Sequence, residues 1–190
     1  MKLRILMLAM LSALVLVGCG TKPPPGKQVQ AFSYTDHHGQ PFGTENLKGK
    51  IWIASFVFAN CETVCPPMMI EMATLKDKIE EADLDVEFVS FSVDPEEDTP
   101  SVLKDYLAQF TEDDAHWHMI TGYSQDTIER FAREQFQTIV QKTETSTQVI
   151  HGTNFYLINQ SGYIVGEYSY IDVTYEEDIL QKVNILQQTK

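Results

Sequence analysis

Two cysteines, Cys61 and Cys65, are the residues of this sequence whose types and spacing are best suited to chemistry. Three residues separate them, and they lie where an apolar segment gives way to Pro66-Pro67. A thiolate is both a nucleophile and a metal ligand, and two sulfur atoms at this spacing can close a disulfide or meet on one metal ion. The pair alone therefore leaves three interpretations open: redox chemistry, binding of a soft metal, and a structural disulfide.

A strand followed by a helix is predicted to position the two thiols. The continuous apolar run from Ile51 to Phe58 is typical of a central strand that is covered on both faces. Pro66 and Pro67 favour the first turn of a helix, where a missing N–H group does no harm. Because Cys65 would begin that helix, the helix dipole is expected to lower the pKa of its thiol.

A histidine far along the chain is the best candidate for a partner of the two thiols. Thioredoxin-like oxidoreductases usually place a cis-proline beside the thiol pair, just before a late strand, but no proline follows Pro100 here. His151 occupies the corresponding segment. Two thiolates and one imidazole suit Cu(I), and with water or a carboxylate they can also hold Cu(II). A structural zinc ion would need a fourth protein ligand, which is not evident.

Other residues with metal-binding side chains are weaker candidates. Asp94 follows the second predicted buried strand and is either a weak or outer copper ligand or a turn residue. Met68, Met69 and Met72 repeat at helical spacing, so we expect them in the core rather than at a copper site. The remaining histidines are interpreted as a solvated turn pair and as a structural pair on a short strand: His37, His38, His116 and His118.

The rest of the pattern predicts one α/β domain over residues 31–190. Strand-like runs alternate with helical repeats, in the order strand, helix, strand, helix, strand, helix, hairpin and helix. The early crossovers imply parallel strands, and the final hairpin adds antiparallel ones. We therefore predict a thioredoxin-like fold, with a central mixed sheet flanked by helices, an added N-terminal extended segment and a late β-hairpin. Residues 138–148 are predicted to be a mobile loop or a short solvated hairpin.

The first thirty residues are predicted to lie outside this domain. Lys2 and Arg4 precede an apolar run that is short for a membrane span, so residues 1–18 are predicted to be a signal peptide. Leu16-Val17-Gly18-Cys19 resembles the lipobox of bacterial lipoproteins, in which the cysteine carries two acyl chains that anchor the protein outside the cell membrane. An uncleaved anchor and an ordinary secretory cut are the alternatives. Residues 19–30 are predicted to be the lipidated N-terminus and a proline-rich linker.

Charge and cysteine usage restrict the classes of function. The chain of 190 residues has a formal net charge of −13, so it would repel nucleic acids and anionic lipids. It contains three cysteines. If Cys19 is lipidated, Cys61 and Cys65 remain an isolated pair in an oxidising, extracytoplasmic setting and are free for chemistry.

Together, these motifs resemble the SCO/SenC family. The resemblance covers residues from 31 to the C-terminus and is carried, besides the lipobox, by these motifs: Cys61-x-x-x-Cys65-Pro66, Ser92-Val93-Asp94-Pro95 to Thr99-Pro100, and His151. It implies a thioredoxin-like fold with one copper ion on Cys61, Cys65 and His151. It also implies a role in assembling the binuclear copper site of cytochrome c oxidase. The neighbours Ala59-Asn60 and Ile150 differ from the usual family pattern.

Two functions remain open on these residues. A copper-binding assembly factor would act on the copper-site subunit of cytochrome c oxidase, with a copper donor and a thiol reductase as further partners. A thiol–disulfide reductase acting on oxidase cysteines would use Cys61 and Cys65 as a reversible disulfide and would not need His151. A peroxidase ranks lower, because Arg130 and Arg133 are predicted to lie on a helix with no evident route to Cys65.

Overall fold

The computed structural model describes residues 26–143 and 145–188. The predicted signal peptide, residues 1–18, and the predicted lipidation site, Cys19, lie outside the described residues. Within the described part, no helix is both long and apolar enough to cross a membrane.

Strands and helices alternate along the described chain. The strands are β1 (Ser33–Asp36), β2 (Pro41–Gly43), β3 (Ile51–Val57), β4 (Val86–Ser92), β5 (Trp117–Thr121), β6 (Val140–Lys142), β7 (Val149–His151), β8 (Asn154–Ile158) and β9 (Ile164–Ser169). The helices are α1 (Cys65–Glu81), α2 (Pro100–Leu107), α3 (Gln125–Phe136) and α4 (Tyr175–Gln188).

A seven-stranded mixed sheet runs through the centre of the domain in the order β2-β1-β5-β4-β3-β8-β9. The strands β3, β4 and β5 are parallel neighbours, whereas β8, β9, β1 and β2 are added by antiparallel pairing. The strands β6 and β7 form a separate two-stranded ribbon, so the polar segment after residue 138 is a short hairpin. The predicted thioredoxin-like α/β fold with a late β-hairpin is confirmed.

The centre of the sheet is packed with apolar side chains. Every residue of β3 and β4 is buried, because helices cover both faces of these strands. Met68, Met69 and Met72 of α1 are at most 1% exposed, which confirms the prediction that they belong to the core. Burial of each such side chain stabilises the fold by about 1.5–3 kcal/mol. The site at the end of β3 is therefore built on well-packed elements.

Glu87 is a charged residue that is buried within the sheet. The Glu87 side chain on β4 is 4% exposed, and Lys50 donates to it over 2.6 Å. His118 Nε2 lies 3.1 Å from its Oε2, and His116 Nδ1 lies 3.3 Å from its Oε1. The two histidines thus contact a buried acid, which the sequence analysis did not anticipate, and His116 lies just before β5 rather than on it.

Glu87 should make stability depend on pH in the acid range. Burial alone raises its pKa, but hydrogen bonds from His118, Lys50 and His116 outweigh burial and lower the pKa to about 2, from an ordinary value of 4.5. The stabilisation is therefore complete above pH 4.5 and is lost as the pH falls through that interval. The free energy of unfolding, measured with denaturant between pH 6 and about pH 2, should fall more steeply with decreasing pH for wild type than for Glu87→Gln. The exposed Glu45→Gln is the control, and equal slopes for all three proteins would contradict this role.

Candidate metal centre

Cys61, Cys65 and His151 meet beyond the C-terminal end of β3. Cys65 is the first residue of α1, Cys61 lies in the loop before it, and His151 ends β7. One ligand atom from each side chain lies within 4.8 Å of the other two, and Cys65 Sγ is 3.3 Å from His151 Nε2. The structure thus brings these three predicted residues into one group.

The spacing and chemistry of these donors fit a single soft metal ion. Bonds of about 2.0–2.3 Å from a common ion place its ligand atoms roughly 3.3–4 Å apart, close to the separation of these side chains. Two sulfurs and one imidazole nitrogen form a set that suits Cu(I). Cys65 is fully buried and Cys61 is 6% exposed, whereas His151 is half-buried, so the group is approached from the histidine side.

The β6–β7 ribbon orients His151 toward the sulfurs. His151 Nδ1 lies 2.9 Å from the carbonyl oxygen of Gly152, so Nδ1 carries the proton and the Nε2 lone pair faces the thiols. A side chain at Gly152 would have its Cβ 1.8 Å from Thr138 Oγ1, which explains the glycine. The Phe58 ring also contacts the imidazole edge to face, with centroids 5.8 Å apart.

A second contact joins the ribbon to the cysteine loop. The Gln148 side chain, directly before β7, donates a hydrogen bond to the carbonyl oxygen of Asn60 over 3.1 Å. Asn60 directly precedes Cys61, so the element that carries the histidine is tied to the loop that carries the outer cysteine. The three ligand positions are therefore fixed relative to one another before any metal binds.

Cys61, rather than Cys65, is the thiol that ionises readily. The backbone N–H group of Cys65 donates to Cys61 Sγ over 3.3 Å. A hydrogen bond from the Cys65 thiol, opposed by burial and supported by the backbone of Thr63 and Cys65, lowers the pKa of Cys61 to about 3. The same bond and burial raise the pKa of Cys65. The expectation that the helix lowers the pKa of Cys65 is wrong, because the Cys65 N–H group points to Cys61, and the next two residues, Pro66 and Pro67, have no N–H group.

Asp94 does not join the group. Its Oδ1 accepts from Lys142 Nζ over 2.6 Å, and Lys142 also contacts Glu96. The carboxylate is thus already paired with a cation on β6. This placement gives no support to the prediction of Asp94 as a weak or outer ligand.

Asp98 is the residue that the sequence analysis missed. It is fully buried and accepts from the Ala59 N–H group over 3.2 Å and from the Ser92 hydroxyl over 2.6 Å. In the sequence it is one of several acidic residues in an apparently exposed turn, and no periodicity sets it apart. A buried carboxylate therefore contacts the loop that leads to Cys61.

A second cluster of metal-binding residue types, His37, His38 and Asp114, lies beside the β1–β2 turn. His37 is 2% exposed, which contradicts the prediction that it is solvated. Its Nδ1 accepts from the Met119 N–H group, so the proton of the neutral ring is on Nε2, which faces Asp114 Oδ2 at 3.2 Å. A protonated nitrogen does not bind metal, and the cluster is therefore a hydrogen-bonded link between two loops.

Comparison with known proteins identifies close relatives. The family model described as SCO1/SenC matches residues 21–187. A SCO1/SenC family lipoprotein from Bacillus anthracis is 48% identical, with 87% of this chain and 98% of that chain covered and a TM-score of 0.84.

Two further solved structures carry information about chemistry. BsSco, a member of the Sco family of cytochrome c oxidase assembly proteins with an identified disulfide switch, is 40% identical. The match covers 88% of this chain and 97% of that chain, with a TM-score of 0.80. ScoI of Arabidopsis thaliana with copper bound is 28% identical over 84% of this chain and 99% of that chain, with a TM-score of 0.73.

The difference between the two thiols should be visible in their reactivity. In reduced, metal-free protein we expect iodoacetamide to label Cys61 before Cys65, at a rate that is nearly constant between pH 8 and pH 5, because the pKa of Cys61 is about 3. Peptide mass spectrometry over a time course measures both rates, with Cys61→Ser as the control. A Cys61 rate that falls about tenfold for each pH unit below 8 would show an ordinary thiol instead.

Proposed function

Because the chain belongs to the SCO1/SenC family, we propose that it is a membrane-anchored copper-binding protein that assists assembly of the binuclear copper site of cytochrome c oxidase. The observation that carries this proposal is the convergence of Cys61, Cys65 and His151 within 4.8 Å. The copper bound by a relative and the oxidase-assembly role of another relative support it.

The three side chains are prepared for copper in different ways. Cys61 offers an ionised sulfur, and His151 presents the free lone pair of Nε2. Cys65 must release its proton when the metal binds, so copper uptake is coupled to loss of a proton. Copper is the cargo here, and one ion per chain occupies the three ligands.

Residues before the domain supply the anchor in this proposal. Residues 1–18 are removed as a signal peptide, Cys19 carries the lipid, and residues 19–30 span the distance to the domain. The net charge of −13 disfavours attachment to anionic lipid by charge, so the acyl chains hold the protein at the membrane. The domain then faces the copper-site subunit of the oxidase, with a copper donor and a thiol reductase as further partners.

A second candidate function is thiol–disulfide reduction of oxidase cysteines. It is favoured by the close approach of two free cysteines with opposite pKa shifts. The Cys61 thiolate attacks a disulfide of the oxidase subunit and forms a mixed disulfide. The Cys65 sulfur, losing its proton, then attacks the Cys61 sulfur, releases the subunit with two electrons added and leaves a Cys61–Cys65 disulfide. An external thiol reductase restores the pair.

Loss of the histidine ligand tests the copper site. His151→Ala should lower copper affinity by at least about tenfold and change the thiolate-to-copper absorption, because one of three ligands is removed. The measurement is a titration of reduced protein in competition with a chromophoric copper chelator. His38→Ala, which removes an exposed histidine far from the thiols, is the matched control. If His151→Ala keeps the affinity and absorption of wild type, the three-ligand site is wrong.

Exchange without copper tests the second function. Reduced, copper-free protein should reduce an oxidised copper-site domain of the oxidase subunit, and His151→Ala should do so within about threefold of the wild-type rate, because the histidine is not a reacting group. Cys61→Ser should be inactive. Rates are followed by thiol trapping and mass spectrometry. Absence of exchange by wild-type protein would reject the reductase function and leave copper binding as the role of the pair.

A further inference from the structure

The loop between β4 and α2 carries a buried carboxylate that contacts the backbone leading to Cys61. Asp98 is 0% exposed and follows a turn that is closed by its own N–H group, which donates to the Asp94 carbonyl oxygen over 2.9 Å. The next residue, Thr99, caps α2 by accepting from the Val102 N–H group. The position of Asp98 is thus fixed by the turn on one side and by the helix start on the other.

The Asp98 carboxylate holds the backbone that leads to Cys61. Its two oxygens lie 3.2 and 3.4 Å from the Ala59 nitrogen, and both accept a hydrogen bond from its N–H group. The N–H group of Cys61 in turn donates to the Phe58 carbonyl oxygen over 3.3 Å, so Ala59 lies inside a tight turn that ends at Cys61. The Ser92 hydroxyl donates to Oδ2 over 2.6 Å and orients the carboxylate.

The charge of Asp98 also acts on the Cys65 thiol. It opposes ionisation of the Cys65 thiol and contributes to the raised pKa of that group. It acts in the same direction on the Tyr106 phenol, whose oxygen is buried and has no hydrogen-bond partner among the described residues. These side chains from α1 and α2 therefore share one poorly solvated space with the carboxylate.

Few groups balance this charge. Burial, which outweighs the hydrogen bonds from Ser92 and Ala59, raises the pKa of Asp98 to about 6, and the nearby Asp94 and Glu97 act in the same direction. The titratable groups that face or influence it are Asp94 and Glu97 from its own turn, Cys65 from α1, Tyr106 from α2, and Tyr123 after β5. Lys142, which pairs with the neighbouring Asp94, also contacts Glu96, and no ion pair to Asp98 forms among the described residues.

We infer that Asp98 is a positioning residue of the metal centre: its buried carboxylate holds the Cys61 loop through Ala59, and its negative charge disfavours the reduced pair of cysteines relative to their disulfide. The inference deepens the proposed function and rests on it for the role of the sulfurs in copper binding. Asp98 touches neither the metal nor a substrate. It acts through the backbone of the loop and through its field.

The negative charge of Asp98 should shift the reduction equilibrium of the cysteine pair in one direction. A negative Asp98 disfavours the reduced pair, which carries a thiolate, relative to the uncharged Cys61–Cys65 disulfide. Reduction by dithiothreitol transfers two electrons to the disulfide and leaves dithiothreitol as its cyclic disulfide. Because coupling is reciprocal, reduction of the pair must also strengthen proton binding at Asp98. The equilibrium with dithiothreitol should therefore carry an additional pH dependence near pH 6 that comes from Asp98.

Asp98→Asn tests the charge with little change in shape. At pH 7.5 the equilibrium constant for reduction by dithiothreitol should rise about tenfold, equivalent to about 30 mV for a two-electron couple. The difference from wild type should shrink below about pH 5, where Asp98 is protonated in wild type, and the additional pH dependence should be absent from the variant. Glu97→Gln makes the same charge change in an exposed side chain of the same turn, where solvent screens the charge, and should change the equilibrium constant much less than Asp98→Asn does.

Ser92→Ala keeps the inference testable if Asp98→Asn does not fold, as judged by circular dichroism and thermal melting. The Ser92 hydroxyl lowers the pKa of Asp98, so its removal should move the additional pH dependence to higher pH. If those of the variants Asp98→Asn and Ser92→Ala that fold keep the wild-type pH dependence of the equilibrium with dithiothreitol, the inference is wrong. An equal shift in Asp98→Asn and Glu97→Gln would also overturn it, because it would indicate only a general charge effect.

Copper titration of the same proteins separates this inference from the proposed function. The equilibrium with dithiothreitol is measured without copper, so it decides the role of Asp98 even if wild-type protein binds no copper. Conversely, copper binding by wild type together with an unchanged pH profile in the folded variants would leave the proposed function intact and reject the inference.

Discussion

The backbone N–H group of Cys65, at the start of α1, donates to the sulfur of Cys61 over 3.3 Å, and the chemistry of the centre depends on this contact. The first N–H group of a 17-residue helix thus points at the outer of the two cysteines. One sulfur is thereby prepared as a thiolate, while the other is kept protonated and fully buried. The same asymmetry suits a metal site that loads from one side and a disulfide that opens at one sulfur.

Two independent parts of the fold hold this contact in place. On the open side, the β6–β7 ribbon brings His151 to 3.3 Å from Cys65 Sγ, and Gln148 joins the ribbon to the cysteine loop. On the buried side, Asp98 accepts the N–H group of Ala59 two residues before Cys61. Neither support comes from α1 itself. The backbone just before Cys61 is thus held by neighbouring elements on two sides.

Local patterns were sufficient to predict much of this arrangement. The apolar run of β3 and the prolines after Cys65 placed the thiols between a strand and a helix, and the missing late proline drew attention to His151. The ionised cysteine could not be predicted, because it depends on where the N–H group and the thiol of Cys65 point in the folded chain. Asp98 could not be predicted either, since its partner Ala59 lies 39 residues away and burial is a property of the folded chain.

X-ray absorption at the copper edge of protein loaded with one equivalent of Cu(I) tests the central claim most directly. Cys61, Cys65 and His151 as the ligands predict two sulfur scatterers and one imidazole nitrogen around a single metal. A first shell made only of nitrogen and oxygen, or one with a single sulfur, would contradict the account.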